Sequence, residues 1–155
     1  MTRFELIQII TGTLGTCGFS ILFNVRSKRL VFATLAGLIS WSLCIMFNHL
    51  MHNEVLSYFL SATLITVYCE VMARVVKTPT SSFILPSLVP LIPGASLYYT
   101  MRMAFLGSFD EFVGKAVYTI KLAAALALGV IVASAIAKIA FPLYYRLKAK
   151  ILAKK

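Results

Sequence analysis

The feature that most constrains this chain is an apolar segment, residues 82–94, that cannot form one continuous helix. Three prolines and a glycine interrupt it: Pro86, Pro90, Pro93 and Gly94. Each interior proline lacks a backbone donor and clashes with the carbonyl four residues earlier, so the carbonyls of Ser82, Pro86 and Val89 are expected to lose their helical partners. Such irregular backbone survives inside a membrane where it is buried in protein or lines a watery cavity. Broken helices of this kind form the substrate sites of secondary transporters.

The composition predicts an integral membrane protein. Hydrophobic residues make up 60% of the chain and charged residues 13%, with a mean hydropathy of +0.90, far from the values of a soluble domain. Hydropathy divides the chain into spans near the roughly 20 residues that cross a bilayer. We place five of them, at roughly 6–25, 30–47, 55–73, 82–106 and 117–143. The predicted fold is therefore an all-α, five-span helix bundle with a proline-broken fourth helix, forming a single transmembrane domain over residues 1–155.

The distribution of basic residues predicts the orientation of these spans. In the five-span arrangement most Lys and Arg residues fall on one side: Arg26, Lys28, Arg29, Arg74, Lys77, Arg146, Lys148, Lys150, Lys154 and Lys155. By the positive-inside rule, that side faces the cytoplasm. We therefore expect a multi-pass protein of the bacterial cytoplasmic (inner) membrane, with the N-terminus outside and a basic cytoplasmic tail at residues 144–155. The net charge of +10 is then chiefly a topology signal, so no nucleic-acid partner is predicted.

Ionisable residues within the spans are candidates for functional roles, because charge is costly inside a bilayer. Glu70 precedes Arg74 by one helical turn, so the two residues form either a structural ion pair or a gate that couples transport to protons. Lys121 and Lys138 are expected to extend their ammonium groups to the two membrane surfaces.

The second half of span four predicts a binding site for a small zwitterion or carboxylate. A helix that starts near Gly94 leaves the amides of Ala95, Ser96 and Leu97 unpaired, and we expect this positive helix end near the middle of the bilayer. Tyr98 and Arg102 follow Gly94 at intervals of four residues and would share one helix face leading outward. Arg102 either extends to the membrane surface or holds a substrate carboxylate with its planar fork. The alternative is that the prolines merely bend a buried helix.

Small residues recur every four positions in two spans. They are Gly12, Thr16, Ser20 and Asn24 in the first span, and Ala125, Gly129, Ala133 and Ala137 in the fifth. Such stripes let membrane helices approach closely, within this chain or against a partner subunit. Ser20 and Asn24 are also candidates to line a polar path, and Asn24 alternatively caps its helix.

The remaining reactive residues do not form a catalytic or metal-binding set. Cys17, Cys44 and Cys69 each stand alone in a span and are expected to be apolar fillers. His49, His52 and Glu54 share one loop but lack the second ligand cluster of a closed metal site. We therefore predict no enzyme activity, no cofactor and no bound metal.

The residues also resemble a known family of membrane exporters. Residues 18–25 read Gly-Phe-Ser-Ile-Leu-Phe-Asn-Val and precede a basic turn, Gly37 and Trp41 lie in span two, and residues 90–94 read Pro-Leu-Ile-Pro-Gly, with Tyr98 close behind. Over nearly its whole length the chain is similar to the threonine/serine exporter (ThrE) family, specifically its small, five-span YjjB-like members. Arg26 stands where the family pattern often has proline.

This resemblance implies a gradient-driven exporter of threonine and serine or of C4-dicarboxylates such as succinate. It also implies a hetero-oligomer with a larger, YjjP-like membrane subunit, and self-association is the other arrangement that would complete a five-span half. The family's functional residues carry over only to Pro90, Pro93, Gly94 and Asn24. The alternative function is a structural or assembly subunit whose partner holds the substrate site.

Overall fold

The computed structural model describes residues 3–107 and 109–152, with side chains as far as Leu143. Six helices follow one another along the chain. They are α1 (Arg3–Leu22), α2 (Lys28–Met51), α3 (Glu54–Val75), α4 (Ser81–Leu88), α5 (Gly94–Leu106) and α6 (Phe109–Leu152), with a 3₁₀ turn at Val89–Leu91 between α4 and α5. No strand occurs in the part of the chain that the structure describes. The side chains of the predicted basic tail, residues 144–155, lie outside the described residues.

The predicted five-span helical bundle is confirmed. Among the described residues, α1, α2, α3 and residues 109–143 of α6 are long and apolar enough to cross a membrane. The pair formed by α4 with its 3₁₀ turn and α5 passes the same test when taken together and is bent by 53° at the break, which gives a fifth span when the pair is counted as one. The helices extend past several predicted limits, most of all in α6, which begins eight residues before the predicted start at residue 117.

Short turns with defined capping join the helices. Asn24 has a left-handed backbone, with φ of 59°, a conformation that Asn tolerates better than most residues. Its N–H donates to the Ile21 carbonyl, and the Val25 N–H donates to the Ser20 carbonyl, both at 2.9 Å. Asn24 therefore ends α1, and capping this helix is one of the two roles predicted for it. At the start of α3, the Asn53 side chain accepts from the Leu56 N–H at 3.2 Å.

The predicted small-residue stripes lie at contacts between helices of this chain. A Cβ atom added to Gly37 of α2 would overlap the Thr16 side chain of α1, and both Thr16 and Ser20 are fully buried. Gly129 of α6 approaches α3 so closely that an added Cβ would lie 2.6 Å from the Phe59 carbonyl oxygen. Close backbone approach thus holds α1 to α2 and α3 to α6, as expected where lipid gives no hydrophobic driving force.

Helices α3 and α6 run parallel, and the residues that contact each other keep a constant offset in number along the chain. Gly129 lies against Ala62, and twelve residues further along both helices the Arg74 guanidinium lies 3.6 Å above the Phe141 ring. Lys121 is therefore level with Glu54, the first residue of α3. At 1.5 Å per residue, residues 109–120 extend roughly 18 Å past that end of α3. Helix α5 packs against this part of α6, and we call the two together the α5–α6 hairpin.

Candidate functional site

At the proline break, two backbone carbonyls accept hydrogen bonds from donors three residues further along the chain. The Val89 N–H donates to the Pro86 carbonyl, and the Ile92 N–H donates to the Val89 carbonyl at 3.3 Å. Both carbonyls thus lose the helical partner four residues on, as predicted, and each accepts from a donor three residues on instead. A 3₁₀ turn shifts the bonding from four residues to three, so the proline that removes one donor still leaves another within reach. Pro86 itself lies inside α4, and the bend comes later, between Leu91 and Gly94.

Helix α5 begins at the break with two free amides rather than three. The Leu97 N–H donates to the Pro93 carbonyl at 2.9 Å, which corrects the prediction that this amide is unpaired. Within the described residues, the amides of Ala95 and Ser96 have no backbone acceptor. Because α5 runs for 13 residues, these amides carry the partial positive charge of a full helix end.

The break extends from the middle of the bundle toward the end where α1 and α3 begin. Pro90 lies against Gly12, with 3.5 Å between the Pro90 Cβ and a Cβ built on the glycine, and Gly12 is nine residues into α1. Ser96 instead contacts Thr119, which is next to Tyr118, a partner of Glu54 at the first residue of α3. The start of α5 therefore lies nearer that end of the bundle than the mid-bilayer position that the sequence predicted.

A cavity of about 1040 Å³ opens beside this break. Residues 92–96 at the break line it, together with residues from the ends of α1, α2 and α3 and from the α5–α6 hairpin. The residues that line it include Glu5, Gln8, Trp41, Asn48, His49, Glu54, Tyr58, Pro93, Gly94, Ser96, Tyr99, Met103, Glu111, Gly114, Lys115 and Tyr118. Irregular backbone thus borders a cavity, the setting in which it is tolerated at membrane depth.

The cavity collects acidic residues in a chain that is otherwise strongly basic. Three of the five acidic residues of the chain line it, namely Glu5, Glu54 and Glu111. Glu5 Oε1 lies 2.7 Å from His49 Nε2, and the Tyr118 hydroxyl donates to Glu54 Oε2. Lys115 lies 5.6 Å from the centre of the Tyr118 ring. These contacts join α1 to α2 and α3 to α6 around the cavity, and they give it a cation-attracting character.

Three hydroxyl groups meet where α5 packs on α6. Ser96 Oγ lies 2.7 Å from Thr119 Oγ1, and Thr100 Oγ1 lies 2.9 Å from the same atom. Thr100 and Thr119 are 6% and 8% exposed, while Ser96 lines the cavity. The cluster therefore connects the buried helix contact with the cavity wall.

The structure separates the predicted substrate-binding residues into four places. Pro93, Gly94 and Ser96 line the cavity. Tyr98 and Arg102 are exposed on another face of α5, outside the cavity lining, where Tyr98 packs against Tyr99 with 5.6 Å between ring centres. Pro86 and Pro90 lie below the cavity, and Asn24 lies in the turn between α1 and α2.

The predicted pair of Glu70 and Arg74 forms at the opposite end of the bundle. Arg74 Nη1 lies 2.5 Å from Glu70 Oε2 and donates to the Glu70 carbonyl at 2.6 Å. Glu70 is buried, with 7% of the residue exposed, and the guanidinium also stacks on Phe141 of α6. The pair therefore ties α3 to α6 at the end away from the cavity.

Several cavity residues are not among the predicted site residues. In the sequence, Trp41 is marked only by the family resemblance, yet it lines the cavity. Its indole nitrogen is buried without a hydrogen-bond partner among the described residues. The sequence marks Glu54 and His49 only as possible metal ligands. No three His, Cys, Asp or Glu side chains in the described residues are grouped to hold a metal. The four-residue spacing of Ser96 and Thr100 in the sequence indicates that the two hydroxyl residues share one face of a helix. Nothing local identifies Thr119 as their partner.

The fold and the cavity define a multi-pass helical membrane protein with a cavity of mixed polar and apolar lining beside a broken helix. The family model described as Threonine/Serine exporter, ThrE matches residues 8–136. The chain therefore belongs to the threonine/serine exporter family, which confirms the resemblance drawn from residues 90–94 and the other motifs. Searches of curated proteins and of solved structures found no match.

Proposed function

We propose that this chain is a membrane subunit of a secondary exporter for threonine and serine, and that the substrate leaves through the cavity beside the break. The observation that carries the proposal is the cavity itself. It brings the break, with the free amides of Ala95 and Ser96, beside a space lined by both polar and apolar residues in a chain whose family exports these amino acids.

The chemistry of the cavity suits a zwitterionic amino acid. The free amides at the start of α5 are suited to a substrate carboxylate. The carboxylates of Glu5 and Glu54 supply negative charge for a substrate ammonium group. A C4-dicarboxylate such as succinate would place a second negative charge among these acidic residues, so the proposal favours amino acids.

The proposed orientation puts the cavity on the outer side of the bacterial cytoplasmic membrane. With the N-terminus outside, the first residues of α1 and α3 lie at the outer surface, and the cavity opens there. The basic turn at Arg26, Lys28 and Arg29 then faces the cytoplasm, as the positive-inside rule requires.

We further propose that Glu70 and Arg74 form the inner gate of this path. Glu70 and Arg74 pair at the end opposite the cavity, where the Arg74 guanidinium stacks on Phe141 of α6, and in the proposal this contact closes the path. Protonation of Glu70 would remove the charge that holds the Arg74 guanidinium in place over Phe141 of α6 and would loosen that contact, which provides a link to a proton gradient.

A membrane partner is part of the proposal. Helix α5 contacts mainly α6 and leaves large apolar side chains exposed, among them Tyr98 at 66% and Phe105 at 80%. A YjjP-like subunit or a second copy of this chain would cover such a face. The rival interpretation, an assembly subunit without a substrate site, predicts that changes in the cavity leave transport unaffected.

Efflux of labelled threonine and succinate tests the proposal. Cells would express the chain alone and together with a YjjP-like subunit, as wild type, Pro93→Ala and Pro142→Ala. We expect threonine efflux to be several-fold lower with Pro93→Ala, because an alanine N–H allows the helix to straighten across the break. Pro142→Ala is the matched control, since Pro142 lies within α6 and outside the cavity lining.

Two results would contradict the proposal. If neither expression of the chain alone nor co-expression increases threonine efflux, the exporter function fails. If Pro93→Ala exports threonine as fast as Pro142→Ala, the break is not part of the path.

A further inference from the structure

In the hydroxyl cluster of Ser96, Thr100 and Thr119, four oxygen–oxygen contacts share three hydroxyl hydrogens. Each hydroxyl has one hydrogen to donate. Thr100 Oγ1 lies 2.9 Å from the Ser96 carbonyl oxygen, and Thr119 Oγ1 lies 2.9 Å from the Lys115 carbonyl oxygen. Carbonyl oxygens accept only, so both threonines use their hydrogens on the backbone.

This direction of the threonine hydrogen bonds determines whether the Ser96 hydroxyl donates or accepts on the cavity side. With the Thr119 hydrogen directed to Lys115, the Ser96 hydroxyl donates to Thr119 Oγ1 across 2.7 Å. The remaining lone pairs of Ser96 Oγ are then available on the cavity side. In this arrangement Thr119 holds the Ser96 hydroxyl as an acceptor for the cavity, while Thr100 bonds the Ser96 carbonyl oxygen. Both threonines are more than nine-tenths buried.

From this geometry we propose that Ser96, positioned by Thr100 and Thr119, recognises the side-chain hydroxyl of the substrate. The inference rests on the proposed export of threonine and serine, whose hydroxyl groups donate the hydrogen that Ser96 accepts. A site built to bond a substrate hydroxyl discriminates strongly against an analogue that lacks it, because its own polar group is left unpaired. Thr100 and Thr119 are positioning residues, since they act on the substrate through Ser96.

The substrate carboxylate and ammonium group have other partners in this arrangement. The amides of Ala95 and Ser96 suit the carboxylate, and Glu5 and Glu54 suit the ammonium group. The hydroxyl cluster is thus the part of the cavity that distinguishes threonine and serine from other small zwitterionic amino acids.

Trp41 provides a direct measurement of binding, because it is the only tryptophan of the chain and lines the same cavity. The full chain in lipid nanodiscs would be titrated with L-threonine and with L-2-aminobutyrate, which is threonine without its hydroxyl, while Trp41 emission is recorded. We expect wild type to bind threonine more tightly. Thr119→Val should weaken threonine binding about fivefold, the effect of one hydrogen bond, and leave 2-aminobutyrate binding unchanged.

Two further variants separate positioning from structural damage. Thr119→Ser keeps the hydroxyl and should restore the preference for threonine. Thr13→Val is the control, because the Thr13 hydroxyl bonds only the Ile9 carbonyl of its own helix and should alter neither affinity.

The outcomes distinguish this inference from the function on which it rests. If wild-type Trp41 emission responds to neither amino acid, the proposed substrate site itself is refuted. If wild type binds both equally, or if Thr119→Val weakens both equally, threonine still has a site in the cavity but the hydroxyl cluster does not select it.

Discussion

At the scale of single residues, Gly37 and Thr16 determine how closely α1 and α2 pack. Thr16 is fully buried, and its side chain occupies the space that a Cβ on Gly37 would need. Gly18, by contrast, is exposed and has no atom within 4 Å of a Cβ built on it. The two glycines therefore make a matched pair, with the same residue type in neighbouring helices and opposite surroundings.

We predict that Gly37→Ala destabilises the protein by about 1 to 3 kcal/mol, because overpacking forces side chains or helices to move. Gly18→Ala should be neutral or slightly stabilising, since alanine favours a helix more than glycine does. Thermal unfolding in detergent measures both. Adding Thr16→Ala to Gly37→Ala should recover part of the loss. A Gly37→Ala protein as stable as Gly18→Ala would contradict the close α1–α2 contact.

At the scale of elements, the bend between α4 and α5 decides which residues face the cavity. A straight helix would carry Gly94, Tyr98 and Arg102 outward along one stripe, as the sequence predicts. The 53° bend instead turns the face with Ser96, Tyr99 and Met103 toward the cavity. The prolines reveal that a break exists. Its direction depends on contacts with other helices, such as Pro90 with Gly12, which no local pattern encodes.

The Glu70–Arg74 pair at the end of the bundle opposite the cavity carries a second prediction. In the proposed gate, Glu70→Gln removes the charge that pairs with Arg74, so threonine efflux should lose most of its dependence on the proton gradient. Efflux measured at several external pH values, at equal protein level, gives the result. A variant with unchanged pH dependence and lower thermal stability would identify the pair as purely structural.

At the scale of the whole molecule, the five spans and their order are predictable from the sequence, whereas the cavity is not. Runs of apolar residues and short polar turns are enough to locate α1, α2 and α3. The predicted span is shorter than α6 because Asp110, Glu111 and Lys115 lower the hydropathy of its first turns. Those turns pair with α5 to form the hairpin that closes the cavity. Contacts such as Tyr118 with Glu54, 64 residues apart, arise only when the bundle assembles.

The central claim is that threonine leaves through the cavity, and filling the cavity tests it most directly. Gly114 lines the cavity and has no atom within 4 Å of a Cβ built on it, so a large side chain fits there without displacing the backbone. Gly18→Trp is the control, because Gly18 is exposed and equally unobstructed but lies outside the cavity lining. Labelled threonine efflux would be measured at matched membrane levels of the two variants. We predict that Gly114→Trp abolishes efflux while Gly18→Trp retains it, and efflux through Gly114→Trp at the control rate would contradict the account.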